Sequence, residues 1–401
     1  MNIKYEFFVA NDNGNSEHDI IINKELIQQP NVLVKHAELT YNADVDEATF
    51  VKNIHNELIV TVNSPSAEVG MYKIGNYALK SAGDEIDNIN VDHDRKYDID
   101  LPIINTLARI AACGVEKAFE ENQTVPEDIE IIVDMSTALP IKQHNEETAA
   151  KFEKKFTKDK HMVTVHMGQK RVNTTIKFDF VKCVPEGFTV PFALQADYET
   201  GKWRTGEIFK EFADEYKLEI VDGQYFKNKI ILGTDIGDGT TEYPVTRGNR
   251  PDRDFKHGSN HGIGRAIEKA LDAFNDAINI PDSPRQYFAE VLKNPKHKFH
   301  ILAKKKLQNH VDKQAERILD NLKSQLIKLR YEIDMICVYG GGSILMKEYL
   351  YPKLKELCDE YQIQLFYVPT KYAITLNAEG LDIFVNGNIF KTLKDKAKTT
   401  A

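Results

Sequence analysis

The apolar positions of the chain fall into short continuous runs and helical stripes that alternate along its length, the pattern of an α/β protein. Tyr5–Ala10 reads as a mostly apolar strand, Asn11–Ser16 is dense in turn residues, and Asp19–Asn23 resumes as a strand. Leu58–Val62 and Met71–Gly75 are strand-like on either side of Asn63–Ser66. Ser81–Asp100, which includes Asp92-His93-Asp94, has no apolar periodicity and is expected to be a solvated acidic loop. Pro102 opens a helix in which Ile103, Leu107, Ile110, Ala111, Val115 and Ala118 recur at helical spacing through Phe119. Ile129–Met135 is a nearly continuous apolar strand, as in a sheet covered on both faces. A charged helix over Glu146–Phe156 and strands over Met162–Met167 and Asn173–Val181 follow.

The second half echoes the first. Ile230–Asp235 is a buried-type strand that runs into Ile236–Thr241, and Glu242–Val245 returns. Helices are expected over His261–Ile278 and Lys304–Leu329. Met335–Tyr339 is a strand entering Gly340–Ser343, which opens a helix through Leu357. Leu365–Pro369 is a last strand, Ala378–Val385 a helix, and the lysine-rich end, 391–401, is expected to fray. Two strand–turn–strand units about 220 residues apart suggest two related halves, without a short-period repeat.

Composition narrows the classes. The 401 residues are 42% hydrophobic, enough for real cores and too apolar for a disordered chain. A net charge of -9 argues against direct binding of duplex DNA through a broad basic face. There is no apolar run long enough for a membrane span, and the Met1–Glu6 start is not that of a signal peptide. Cys113, Cys183, Cys337 and Cys358 lie far apart and read as reduced buried thiols, so a cytoplasmic location is expected.

Three segments carry candidate chemistry. Asp235-Ile236-Gly237-Asp238-Gly239-Thr240-Thr241 follows an apolar strand. Its glycines let backbone N–H groups approach an anion, its threonines add hydroxyl donors, and Asp235 can hold a hydrated Mg²⁺. Asp12-Asn13-Gly14-Asn15-Ser16 follows the same logic. Gly340-Gly341-Gly342-Ser343, between a buried strand and a helix, can cradle a phosphate or lie flat against a nucleoside. It matches neither GxGxxG nor GxxxxGK[ST]. Taken singly, each is also an ordinary turn. His257 and His261, at i,i+4 spacing, are a weaker candidate for metal binding, and Lys304, Lys305 and Lys306 read as a solvated helix face or an adenine-side contact.

In this order the segments resemble the actin-like ATPases: two phosphate hairpins (Asp12-Asn13-Gly14 and Asp235–Thr241) and an adenosine motif (Val338–Ser343). Met71–Asn76, Thr137–Pro140 and Asn377–Leu381 are smaller echoes, and the helix Ile103–Phe119 is similar to the first connecting motif. Thr137–Pro140 and Val184-Pro185-Glu186-Gly187 are most similar to the ParM/Alp group of bacterial plasmid-segregation actins. The resemblance implies an actin-like two-domain fold, two related RNase H-like halves around a nucleotide cleft. Domain I would hold residues 1–195 and 372–401, and domain II residues 196–371. It implies a filament-forming, Mg-dependent ATPase (GTP also open) that partners itself as a polymer and reaches plasmid DNA through a small DNA-binding adaptor. Asp12 and Asp235 would hold Mg²⁺, mostly through water. Asn13, Gly14, Asn15, Ser16, Gly237, Asp238, Gly239, Thr240, Thr241, Gly340, Gly341, Gly342 and Ser343 would bind nucleotide, and Glu186 would orient or deprotonate the attacking water.

Where the superfamily commonly carries a Lys, seven residues after the first Asp, this chain has Asp19 behind His18. The stretch Ala196–Phe226 is long enough to suggest an insertion. The alternatives are a monomeric sugar or carboxylate kinase of the same superfamily, a chaperone-like nucleotide switch, and a scaffold that assembles without turnover.

Overall fold

The strand that begins at Ile3 alternates inward Tyr5, Phe7 and Val9 with outward neighbours, so one of its faces is committed to a core from the start. The computed structural model describes residues 3–36, 46–81, 85–90, 93–219, 221–280, 283 and 285–400. Met1, Asn2, Asp92 and Ala401 lie outside these.

In chain order the elements are β1 (Ile3–Asn13), β2 (Glu17–Ile22), β3 (Glu25–Pro30), β4 (Leu33–His36), α1 (Glu47–Asn53), β5 (Ile59–Ser64), β6 (Ala67–Ile74), α2 (Asn76–Leu79), α3 (Leu101–Asn122), β7 (Asp128–Leu139), α4 (Glu146–Thr157), β8 (His161–Met167), β9 (Lys170–Pro185) and α5 (Val190–Gln195). They continue as α6 (Lys210–Tyr216), β10 (Ile230–Ile236), β11 (Thr241–Arg247), β12 (Arg250–Ser259), α7 (Gly264–Ile278), α8 (Arg285–Lys293), α9 (His300–Lys328), β13 (Met335–Tyr339), α10 (Gly341–Glu360), β14 (Gln364–Tyr367), α11 (Thr370–Ala373), α12 (Leu376–Val385) and α13 (Asn388–Thr400).

The chain divides into two units. The first is Met1–Leu139, Gln143–Lys202 and Asn377–Ala401; the second is Pro140–Lys142 and Trp203–Leu376. The first is built on a nine-stranded sheet in the order β3-β2-β1-β7-β9-β8-β5-β6-β4. β1, β7 and β9 run parallel, so their carboxyl ends share one edge. Helix α3 packs on this sheet with Ile103, Leu107, Ile110, Ala111 and Val115 fully buried. Its Pro102 sits in the first turn, where no intrahelical N–H is missed. The second unit has a five-stranded sheet, β12-β11-β10-β13-β14, in which β10 and β13 are parallel. Every residue of β13 is buried, as its unbroken apolar run requires.

Three expectations change. The stretch 81–100 is not simply a solvated loop: Ile89 joins the core of the first unit, and Lys96 is 2% exposed. The helix expected from His261 begins at Gly264, because β12 continues to Ser259. The expected frayed end is helix α13, with Phe390 buried against Phe180 and Phe384. Its Lys394 bridges Asp134 and Asp179 at 2.6 and 2.7 Å, and Lys398 adds a 3.1 Å contact to Asp179. Between Ala196 and Phe226, the stretch expected to be an insertion, Phe209, Phe212 and Phe226 pack with Phe366 of β14 into an aromatic layer of the second unit. The four cysteines are free and buried. No helix among the described residues is long and apolar enough to cross a membrane.

Candidate functional site

The first hairpin is built over a buried polar network. β1 and β2 pair with Asp12 opposite Asp19 and Asn13 opposite His18. Asn31 donates through its side-chain amide to Asn13 Oδ1 (2.7 Å) and Gly14 O (2.6 Å), and its backbone N–H reaches Ser16 O (2.9 Å). Asn105 of α3 donates in turn to Asn31 Oδ1 at 2.7 Å. Asn11 accepts from Thr106 and contacts His18 Nε2 at 2.7 Å, while its amide donates to Thr137 on β7. One donor in this network is left over: Asn13 is 2% exposed, and its Nδ2 has no acceptor. An orphaned buried donor at a hairpin tip fits an oxygen-rich anion.

The charges of this hairpin are unusual. Burial, helped by the Arg109 guanidinium, pushes His18 down to about 3, so its ring is neutral near pH 7. Burial and the neighbouring Glu17 push the Asp19 carboxyl up to about 7, against the hydrogen bond it accepts from Gln28 (3.0 Å). The hairpin therefore presents amides and carboxyl groups, and its single histidine carries no charge.

Glu186 stands immediately beyond β9. Its backbone N–H donates to Leu139 O at 2.9 Å, which ties it to the end of β7. Register pairs Asn11 with Thr137 and Leu139 with Pro185, so Asn13, Leu139 and Glu186 close the carboxyl ends of three adjacent parallel strands. That edge is where α/β sheets place ligands. The Glu186 side chain is buried and paired: Lys96 Nζ lies 2.6 Å from Oε1. Gln143 fixes the lysine's backbone by accepting from its N–H at 3.0 Å.

In the second unit, main-chain groups do the bracing. Gly237 N–H closes its turn on Thr240 O at 2.9 Å. The carbonyls of Gly239, Gly237 and Asp238 accept from Gly262, Ile263 and Gly264 at 3.1, 3.0 and 2.7 Å, so the turn caps the start of α7. A Cβ at position 262 would collide with the Asp238 carbonyl. The Asp238 side chain is held by Arg285, whose Nη1 lies 3.2 Å from Oδ2. Thr241 Oγ1 donates to the His261 carbonyl at 3.1 Å.

The glycine turn packs on this hairpin. Asp235 pairs with Tyr339 across β10 and β13. Gly340 has φ +88°, and a Cβ there would lie 2.5 Å from Asp235 Oδ1. A residue with a side chain would thus be strained and would strike the carboxylate. Gly340, Gly341, Gly342 and Ser343 form the cap and first turn of α10. Ser343 Oγ donates to Gly340 O at 2.7 Å, which braces that turn from within.

Within the first unit the fold thus brings together Asp12, Asn13, Gly14, Asn15, Ser16 and Glu186 along one sheet edge. Within the second it gathers Asp235 to Thr241 with Gly340 to Ser343. His257 lies on β12, stacked on Tyr243, and His261 contributes its carbonyl to Thr241. Among the described residues one cluster of metal-type ligand atoms occurs elsewhere, at His55, Cys113 and Glu116. There Arg109 Nη1 donates to His55 Nδ1 (3.2 Å), which leaves Nε2 protonated and facing Glu116 at 3.0 Å. These contacts hold the His55 ring between Arg109 and Glu116. Lys304 and Lys305 are exposed on α9.

Sequence reasoning missed Lys96, Asn31, Asn105 and Arg285. Asn105, Thr106 and Arg109 had a signal: polar residues inside a helix whose apolar neighbours leave it no wet face. Lys96 had none, lying among acids and amides without periodicity.

The family described as archaeal actin homologue MreB-like, C-terminal, matches residues 233–352. None of the curated proteins matches the chain. Among solved structures, the actin-like protein Alp7A superposes with a TM-score of 0.71 at 17% identity, covering 100% of both chains. The chain has the actin fold. A Bacillus thuringiensis ParM solved with ATP gives 0.62 at 16% identity, over 98% of this chain and 100% of that one. Ta0583, an archaeal actin homologue, gives 0.62 at 13%, over 94% and 98%. The actin-like architecture expected from the motif order is therefore the one found, and the likeness to Alp7A and ParM spans the whole length.

Proposed function

We propose that the chain is a nucleoside triphosphatase of the actin kind that assembles into filaments with bound nucleotide, and that its filament moves plasmid DNA through a DNA-binding adaptor. The observation that carries this reading is the edge shared by Asn13 and Glu186: an unpaired buried donor and a carboxylate at the carboxyl ends of β1 and β9, the parallel strands on either side of β7. Within the second unit by itself, the glycine turn lies against Asp235 at the end of β10. Support also comes from neighbours that share the fold, one of them a ParM solved with ATP.

The residues divide the work. Asn13 to Ser16 and Gly237 to Thr241 supply donors to the phosphates, and Gly341 and Gly342 give a nucleoside a flat floor. Asp12 and Asp235 suit a hydrated Mg²⁺, which lowers the repulsion among phosphate charges when bound. Glu186 accepts the proton of the attacking water as its oxygen bonds to the γ-phosphorus. The bond from that phosphorus to the bridging oxygen breaks, and the diphosphate leaves with the electron pair.

Light scattering and phosphate release with Mg-ATP, Mg-GTP or neither test the reading. A nucleotide-dependent rise in scattering is expected, and Glu186→Gln should assemble while phosphate release falls about 100-fold or more. If scattering stays flat while phosphate is transferred to a sugar or carboxylate, the chain is a kinase instead.

A further inference from the structure

Among the described residues, the turn and paired strand ends of the first hairpin, Asp12 to Asp19, carry no Lys or Arg of their own. A triphosphate brings several negative charges, yet the first hairpin offers Asp12, the buried Asp19 and a neutral His18. Lys4, at the far end of β1, is 3.4 Å from Glu130. The buried ammonium on this sheet edge belongs to Lys96, in the segment before α3.

We propose that Lys96 is shared between Glu186 and the terminal phosphate of a nucleoside triphosphate. It serves the carboxylate when no triphosphate competes, and it moves to the γ-phosphate when one does. The inference rests on the reading of the site given above and adds to it a cation and a trigger for the general base.

The geometry supports the exchange. Asn13, Leu139 and Glu186 end neighbouring strands, so Glu186 lies about 10 Å from the hairpin tip, two strand spacings away. A phosphate at that tip and one lysine side chain together reach across this distance. The backbone around Lys96 is pinned, with its N–H on Gln143 and the carbonyls of Asp98 and Ile99 accepting from Lys155 at 2.7 and 2.9 Å. Only the side chain has to move. The electrostatics favour movement: a buried carboxylate with one negative charge loses an ammonium to a more highly charged phosphate. With Lys96 Nζ 2.6 Å from Glu186 Oε1, that oxygen is occupied by the ammonium and closed to a water proton. With the lysine on the phosphate, Oε1 is open to accept one. The γ-phosphate thus releases the residue that attacks it through water, and a diphosphate, lacking that group, does not.

Binding of AMPPNP and of ADP, each with Mg²⁺, tests this in four proteins: wild type, Lys96→Gln, Glu186→Gln and the double variant. Lys96→Gln should weaken AMPPNP about tenfold, the scale of one charge-assisted hydrogen bond, and change ADP by less than about twofold. Glu186→Gln should tighten AMPPNP, since the lysine is no longer held back, and a purely structural lysine predicts no such gain. The double variant, which keeps a neutral hydrogen-bonded pair, should fold like wild type and bind AMPPNP like Lys96→Gln. Equal losses for both nucleotides, or weaker AMPPNP binding by Glu186→Gln, would overturn the exchange while leaving the wider reading intact. A wild-type chain that binds neither nucleotide would remove both.

Discussion

Beneath the first hairpin the bracing groups are side chains, whereas around the second they are main-chain amides. Asn31, Asn105, Asn11 and Thr106 hold the turn at Asn13 and Gly14. Gly262, Ile263 and Gly264 hold the turn at Gly237 to Gly239. The same local shape, a strand-end aspartate and a turn rich in donors, is therefore reached by two routes. The side-chain route is specific to a few amides and open to tuning one residue at a time. The main-chain route tolerates most side chains but allows no Cβ where backbones meet.

The largest expected effect comes from breaking the main-chain route. Gly262→Ala drives a methyl group into the Asp238 carbonyl and separates the turn from α7. A loss of about 3 kcal/mol in chemical denaturation is expected. A loss below about 1 kcal/mol would mean that the segment before α7 moves aside without consequence.

Breaking the side-chain route should cost less. Asn31→Ala leaves Asn13 Oδ1, Gly14 O and the Asn105 amide without their partner, for about 2 kcal/mol. Asn31→Asp keeps the acceptor for Asn105 and loses both donors, so it should fall between wild type and alanine. If aspartate were worse than alanine, repulsion from nearby carboxylates would outweigh the network.

That ranking follows from what was legible beforehand. The apolar runs of β10 and β13 and the glycine turn between strand and helix were readable, because continuous burial and glycine leave local marks. The hairpin at Asn11–Ser16 was readable as a turn, but not the network under it. Asn31 and Asn105 are 74 positions apart, and nothing local ties one amide to the other. Lys96 and Lys394 were misread for a similar reason. Each sits among polar residues, and each is fixed by an acid 90 or 260 positions away, Glu186 and Asp134.

The smallest effect concerns acidity. His18 titrates near 6.5 when unfolded and at about 3 when folded, so below pH 6.5 the unfolded chain binds a proton that the native one refuses. Its contribution is complete above pH 6.5 and declines toward pH 3. Asp19, raised to about 7, acts in the opposite sense and partly cancels it. His18→Gln removes one side of this balance. Relative to wild type, the variant should gain up to about 1 kcal/mol per pH unit between pH 6.5 and 5, read from paired thermal melts in EDTA. Parallel curves would show that His18 is protonated in the native hairpin.

Helix α13 fastens the first sheet from outside. Asp134 on β7 and Asp179 on β9 share Lys394, and Asp179 also meets Lys398. Chain shortened at Gly387 would leave two carboxylates on neighbouring strands repelling each other and would uncover Phe180 and Phe384. Any tag or label joined behind this helix is mechanically coupled to the strands that end at Leu139 and Pro185.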